Sequence, residues 1–247
     1  MIRLLDATLG RWTRHAFFVL LRSYYALFYN VSCSGKHLLQ DTPGALILAT
    51  HVSRHDGPLI AALLYSTARV RPTVHYKEYQ APAQWFPLWV AGAIPMSSPK
   101  DWAPERRAAR KAWAMEVVGK LLDRGRAVLL FPAGGVRREP REVVAPYLTG
   151  VRDILAARPE TPVLLLRIDG LGRFQTARHD LFWTFLGRRK GRRHVSVEIV
   201  RLEGLDPCEA LAGFNARLEA LLNGEAPPPR AAPAPAAPSL PPEGAAG

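Results

Sequence analysis

The chain has 247 residues, long enough to bury a substantial core, and once its C-terminal tail is set aside the length suits a single α/β domain. Its 33 Lys and Arg against 21 Asp and Glu leave a formal charge of +12, which points to an anionic partner: a membrane, a nucleic acid or a phosphorylated metabolite. The two cysteines, Cys33 and Cys208, lie far apart and outside any C-x-x-C or zinc spacing, which speaks against a structural metal and for a reducing compartment.

At the N-terminus, Arg3, Arg11, Arg14 and Arg22 are mixed with Trp12, Phe17, Phe18, Tyr24, Tyr25 and Phe28. Arg22 interrupts the apolar run, and the uncharged segments on either side are short for a membrane span. No small-residue cleavage site follows a clean apolar core, as a signal peptide requires. The pattern predicts an interfacial amphipathic helix or helix pair over residues 1–32, with Phe17 and Phe18 touching lipid, or else an ordinary helix packed on the domain.

Beyond it, short aliphatic runs alternate with longer helical patterns, the mark of a sheet whose strands are joined by crossover helices. "ALILAT" (45–50) reads as a buried strand and "PLIAALLYS" (58–66) as the helix after it. "PTVHYK" (72–77) is a strand, and "QWFPLWVAG" a short helix broken at Pro87. "GAIPMS" (92–97) is a strand that Pro95 confines to an edge or a bulge.

The clearest helix is 104–125, from Pro104 in its first turn to Gly125 at its end, with Ala108, Ala112, Met115, Val118, Leu121 and Leu122 as its apolar stripe. "AVLLFP" (127–132) has no polar alternation and so is an inner strand. A helix (149–160), a buried strand (162–168), an alternating strand nearer an edge (194–200) and a closing helix (207–223) follow. From 225 to 247 the chain is almost wholly Pro and Ala, which predicts a disordered tail.

Two stretches carry the chemistry. In "LILATHVSRHDGPLIAAL" (46–63), His51 directly follows a strand and Asp56 directly precedes a helix. Ligands in open α/β sheets bind at this edge. On a continuous helix the two side chains would diverge by roughly 140°, but a loop entering a helix can fold them together. A carboxylate on one imidazole nitrogen fixes the tautomer and leaves the other nitrogen to take a proton from an alcohol. That is a Ser-His-Asp arrangement with the hydroxyl supplied by the substrate. His55 either caps the helix or faces solvent.

In "LLFPAGGVRREPRE", a second strand emerges at Phe131, followed by Pro132, Ala133, Gly134 and Gly135, then Arg137, Arg138 and Arg141. Small residues let backbone amides approach an anion, and arginines bind phosphate in bidentate fashion. The alternative is a solvated basic loop closing the strand.

Together the two stretches resemble the glycerolipid acyltransferase family, which contains 1-acylglycerol-3-phosphate acyltransferases and lysophospholipid acyltransferases. "HVSRHD" is similar to its H-x-x-x-x-D block, "GAIPMSS" to its second, "FPAGGVR" to its F-P-E-G-T-R block and "TPVLLLRI" to its fourth, in order over roughly residues 45 to 170. The resemblance implies a mixed, mostly parallel αβ sheet flanked by helices, with an acyltransferase domain over 33–224 between the helical segment 1–32 and the tail 225–247. It implies transfer of an acyl group from acyl-CoA or acyl carrier protein to the hydroxyl of a lysolipid, with His51 as general base, Asp56 as its orienting partner, and no metal or redox cofactor.

Departures fall in the blocks that hold the acceptor's phosphate. Ala133 stands for Glu, Gly135 for Thr and Val136 for Arg, and Ser98 occupies the terminal Arg position of the second block. On this reading the acceptor is bound by Ser98, Phe131, Pro132, Gly134, Gly135, Arg137, Arg138 and Lys77.

The run 178–194 interleaves Phe182, Trp183 and Phe185 with Arg188, Arg189, Lys190, Arg192 and Arg193. Such a mixture anchors a protein at an anionic membrane surface, at about 1 kcal/mol per basic residue. Membrane is favoured over nucleic acid because no nucleic-acid motif accompanies the charges. The expected location is therefore the cytoplasmic face of a membrane, peripheral or monotopic. Two other readings stand beside this one: a phosphohydrolase using His55-Asp56 as a metal-binding dipeptide, and a non-catalytic lipid- or nucleic-acid-binding protein on an acyltransferase-like scaffold.

Overall fold

A computed structural model describes residues 8–53, 55–68, 70–97, 103–136, 141–171 and 193–229. In chain order the elements are α1 (Thr8–Phe28), β1 (Tyr29–Ser34), α2 (Leu38–Asp41), β2 (Leu46–Ala49), α3 (Asp56–Leu64), β3 (Arg71–His75), α4 (Tyr76–Gln80), α5 (Pro82–Ala91), β4 (Ile94–Met96), α6 (Pro104–Asp123), β5 (Val128–Leu130), α7 (Gly150–Ala157), β6 (Val163–Asp169), β7 (Arg193–Arg201) and α8 (Leu211–Asn223). The strands form one seven-stranded sheet in the order β1-β7-β6-β2-β5-β3-β4. Every pairing is parallel except β6 with β7. This is the mostly parallel mixed sheet that the sequence predicts.

Alternation along the inner strands builds a core on each face of the sheet. Ile47 and Ala49 of β2 point into a layer made by α1, α2 and α3 with Tyr25, Leu39, Leu59, Ile60 and Leu64. Leu46 and Leu48 point the other way, against Val118 of α6, Ile154 and Leu155 of α7, and Phe214 and Leu218 of α8. With helices on both faces, β2 has no solvent side, which is why its four residues are all buried.

Several local expectations fail for tertiary reasons. Over the described residues the N-terminal segment holds the single helix α1, one of the two forms expected, but residues 29–34, partly included in the expected helical segment 1–32, form β1. The boundary at 32/33 falls inside that strand. Tyr29 to Ser34 pair in parallel with Arg193 to Glu198 of β7, a ladder that local propensity does not reveal. Gly35 turns the chain after it with φ of 72°, and a Cβ there would lie 1.9 Å from the Ile199 carbonyl oxygen.

Pro87 does not break its helix, since α5 continues through it from Pro82 to Ala91. Strand 72–77 ends at His75, where α4 begins, and the closing helix starts at Leu211 rather than 207. Ala108 and Ala112 of α6 are exposed and do not belong to its buried stripe. Its buried side is Ala114, Val118, Gly119 and Leu122. Pro95 does sit in an edge strand, β4.

Candidate active site

Strands β2, β5, β3 and β4 run the same way, so their C-terminal ends emerge at one edge of the sheet. That edge carries His51 after β2, Phe131 to Val136 after β5, Tyr76 and Lys77 after β3, and Ser97 after β4. It is the edge where open α/β sheets bind ligands.

Sheet pairing stops one residue before His51. The Thr50 N–H is donated to the Leu166 carbonyl at 3.1 Å, and Thr50 Oγ1 accepts the Ile168 N–H at 3.0 Å. The following loop folds back on itself. The Asp56 N–H donates to the Ser53 carbonyl at 3.2 Å, while the Ser53 N–H donates to Asp56 Oδ2 at 2.7 Å. His51 Nδ1 meets the same Oδ2 at 3.0 Å. The reciprocal Ser53–Asp56 turn thus closes the angular gap that a continuous helix would leave between His51 and Asp56.

Asp56 has no exposed side-chain surface and His51 is 19% exposed, so their attraction is less screened than it would be at the surface. Asp56 is also the first residue of α3, where the unpaired N–H groups of a helix favour a negative charge. A carboxylate only accepts, so in the neutral ring Nδ1 carries the proton and Nε2 keeps its lone pair. The Phe131 ring stacks on the imidazole, centroids 4.2 Å apart and planes 26° from parallel. The arrangement can take a proton from a hydroxyl brought to Nε2.

His55 occupies the N-cap position of α3, but its side chain makes no capping bond there and is half-buried. Burial lowers its pKa below the ordinary value, against the opposing pull of Asp56. Its carbonyl accepts the Tyr25 hydroxyl at 3.3 Å, which ties α1 to the loop that carries His51 and Asp56. Burial first, then the charges of Tyr24, Tyr29 and Asp56, push the Tyr25 phenol far above its usual range, so it stays a donor.

Of the other expected site residues, Pro132 is buried beside Phe131, and Gly134 and Gly135 are exposed in the turn after β5, where the Gly134 N–H closes onto the Phe131 carbonyl at 3.0 Å. Lys77 is exposed on α4, its main-chain N–H donated to His75 Nδ1 at 3.3 Å. Ser98, Arg137, Arg138, Trp183, Phe185, Arg188, Arg189 and Arg192 lie outside the described residues, and Arg193 opens β7. Phe18 is a correction: it is only 6% exposed and stacks on Tyr65 of the segment after α3, so it faces the protein and not lipid. Phe17 is half-buried against Phe86 of α5.

The metal-dipeptide reading needs His55 and Asp56 to face a common ion. Asp56 instead turns to His51 and Ser53. Sequence reasoning also missed Glu142, which is 1% exposed and accepts the His51 main-chain N–H on Oε1 at 2.8 Å. Lying in the charged run "RREPRE", it carries no periodicity or motif that separates it from a solvated acid.

A family model described as Acyltransferase matches residues 30–166, more than half of the chain. Among solved structures, the 1-acyl-sn-glycerophosphate (LPA) acyltransferase PlsC from Thermotoga maritima is similar, with a TM-score of 0.51 and 19% identity over 85% of this chain and 76% of that one. That likeness bears on the fold. No curated protein matches the chain.

Proposed function

The chain belongs to the acyltransferase family, and from that premise we propose that it moves a fatty acyl group from acyl-CoA or acyl carrier protein to the hydroxyl of a lysophospholipid or related lysolipid, in phospholipid biosynthesis or remodelling. The observation that carries this reading is the buried Asp56 carboxylate on His51 Nδ1, which leaves the second ring nitrogen basic at the ligand-binding edge.

His51 takes the acceptor's hydroxyl proton as its oxygen attacks the thioester carbonyl. The tetrahedral intermediate then collapses with cleavage of the C–S bond, and the imidazolium returns the proton to the departing thiolate. Asp56 holds the ring and stabilises the imidazolium that forms. Lys77, Arg137 and Arg138 are assigned to the acceptor's phosphate, in place of the charged residues that the second and third blocks lack.

The lipid partner is supported by the outer side of α1, where Trp12, Val19, Leu20 and Leu27 are all exposed, and by Trp85 and Phe86 on the neighbouring α5. The basic and aromatic run 178–194 adds charge for an anionic surface. Among the described residues no helix is long and apolar enough to cross a membrane. The association proposed is peripheral or monotopic, on the cytoplasmic face.

The test incubates purified protein with labelled acyl-CoA or acyl carrier protein and a panel of lysolipids, beside His51→Ala. Transfer that disappears in the variant supports the assignment. Transfer that survives overturns the role of His51, and silence with intact liposome binding selects a non-catalytic lipid-binding protein.

A further inference from the structure

The segment 141–149 between β5 and α7 has no repeating backbone structure, yet α8 fastens it at successive points. Asn223 Oδ1 accepts the Glu142 N–H at 2.8 Å, and its Nδ2 donates to the Glu142 carbonyl at 3.0 Å. Glu219 Oε2 accepts the Val144 N–H at 2.9 Å. Asn215 Nδ2 donates to the Ala145 and Leu148 carbonyls, each at 3.2 Å.

One side chain, Asn223, therefore holds both main-chain polar groups of Glu142. The result is to deliver the Glu142 carboxylate to the first peptide that leaves β2. The Thr50 N–H is the last to join the sheet, so the His51 N–H needs another acceptor, and Glu142 Oε1 supplies it. Taking a carboxylate out of water is costly unless strong hydrogen bonds repay it. At this position a solvent-facing backbone would have needed no acid at all.

We propose that Glu142 is a positioning residue for His51, resting on the reading of His51 as general base. Asp56 orients the imidazole from the ring side, and Glu142 fixes the peptide plane from which the ring hangs. Glu142 touches main chain rather than reacting atoms, so its action is on geometry. Because Asn223 sets the place of Glu142, α8 contributes to the site although it lies beyond residues 30–166, which the family model matches.

The full-length chain is compared with Glu142→Ala, Glu142→Gln and Asn223→Ala. Misplacing a catalytic group by about 1 Å can cost on the order of a hundredfold. Glu142→Ala is therefore expected to lower kcat by about tenfold to a hundredfold with the KM for the lysolipid little changed. Glu142→Gln keeps an oxygen able to accept the same bond, and is expected to recover kcat to within about threefold of the parent. Asn223→Ala should lower kcat in the same sense, and add nothing when combined with Glu142→Ala.

A second readout does not depend on acyl transfer. Nitrogen-15 spectra of the histidine rings should show His51 as the Nδ1–H tautomer in the parent and in Glu142→Gln, and as a mixture in Glu142→Ala. An unchanged kcat and an unchanged tautomer in folded Glu142→Ala overturn the proposal. Equal loss of kcat in the Ala and Gln variants with the tautomer intact also overturns it, since the charge would then be acting on substrate directly. If the parent transfers no acyl group, the enzymatic reading fails by itself, while the tautomer still decides the role of Glu142.

Discussion

Replacing Asp56 by Asn separates the charge of the partner acid from its shape. Asp56 Oδ2 accepts two hydrogen bonds, from Ser53 N–H at 2.7 Å and from His51 Nδ1 at 3.0 Å. Oδ1 has no hydrogen-bond partner among the described residues. An asparagine whose oxygen takes the place of Oδ2 keeps both bonds and the Nδ1–H tautomer, because the opposite flip would set its NH2 against the Ser53 N–H. What it loses is the negative charge facing the imidazolium.

A hydrogen bond to a charged group contributes about 1.5–3 kcal/mol, so at about 1.4 kcal/mol per factor of ten kcat should fall by roughly tenfold to a hundredfold. The same change would cost about 10⁴ where it also upsets the tautomer, as in Ser-His-Asp hydrolases. The buried amide NH2 left facing no acceptor lowers folding stability by about 1–3 kcal/mol. Steady-state kinetics of acyl transfer, with urea unfolding on the same protein, measures both. A loss near 10⁴ would refute the argument that the Ser53 N–H dictates the amide's orientation. A loss below about threefold would refute the role of the carboxylate itself.

Two further outcomes follow from burial. Because His55 has its folded-state pKa depressed below its ordinary 6.5, the unfolded chain binds more protons as the pH falls. The stability His55 contributes is thus complete above that value and is lost as pH drops through the folded-state pKa. Urea midpoints at pH 7.5 and 5.5 should differ less in His55→Gln than in the parent, and an equal slope in both proteins would remove His55 as the cause. Leu20, 70% exposed on the outer side of α1, should tolerate Glu without a change in Tm. Since burying a leucine is worth about 1.5 kcal/mol or more, Leu20→Glu should weaken sedimentation with anionic vesicles by about tenfold, and undiminished binding would take α1 out of the lipid contact.

The sequence by itself determined the elements whose signals are local. The apolar run of β2, the start of α6 at Pro104 with Gly125 just past its end, and the placement of His51 and Asp56 on either side of a strand-to-helix loop are all written in neighbouring residues. These sufficed for the fold class and for the pair at the centre of the proposed chemistry, because a strand end and a helix start bring such residues to the ligand-binding edge whatever else the chain does. Tertiary structure decided the rest. β1 exists because β7, far along the chain, offers it a parallel ladder, and Phe18 faces inward because Tyr65 lies under that side of α1. Glu142 meets the His51 N–H from a segment whose main chain is held by Asn223 of α8. The physical reason is common to all three. A hydrogen bond or a stacked ring between residues remote in sequence depends on where the whole chain has already folded, so composition and periodicity around either partner carry no trace of it.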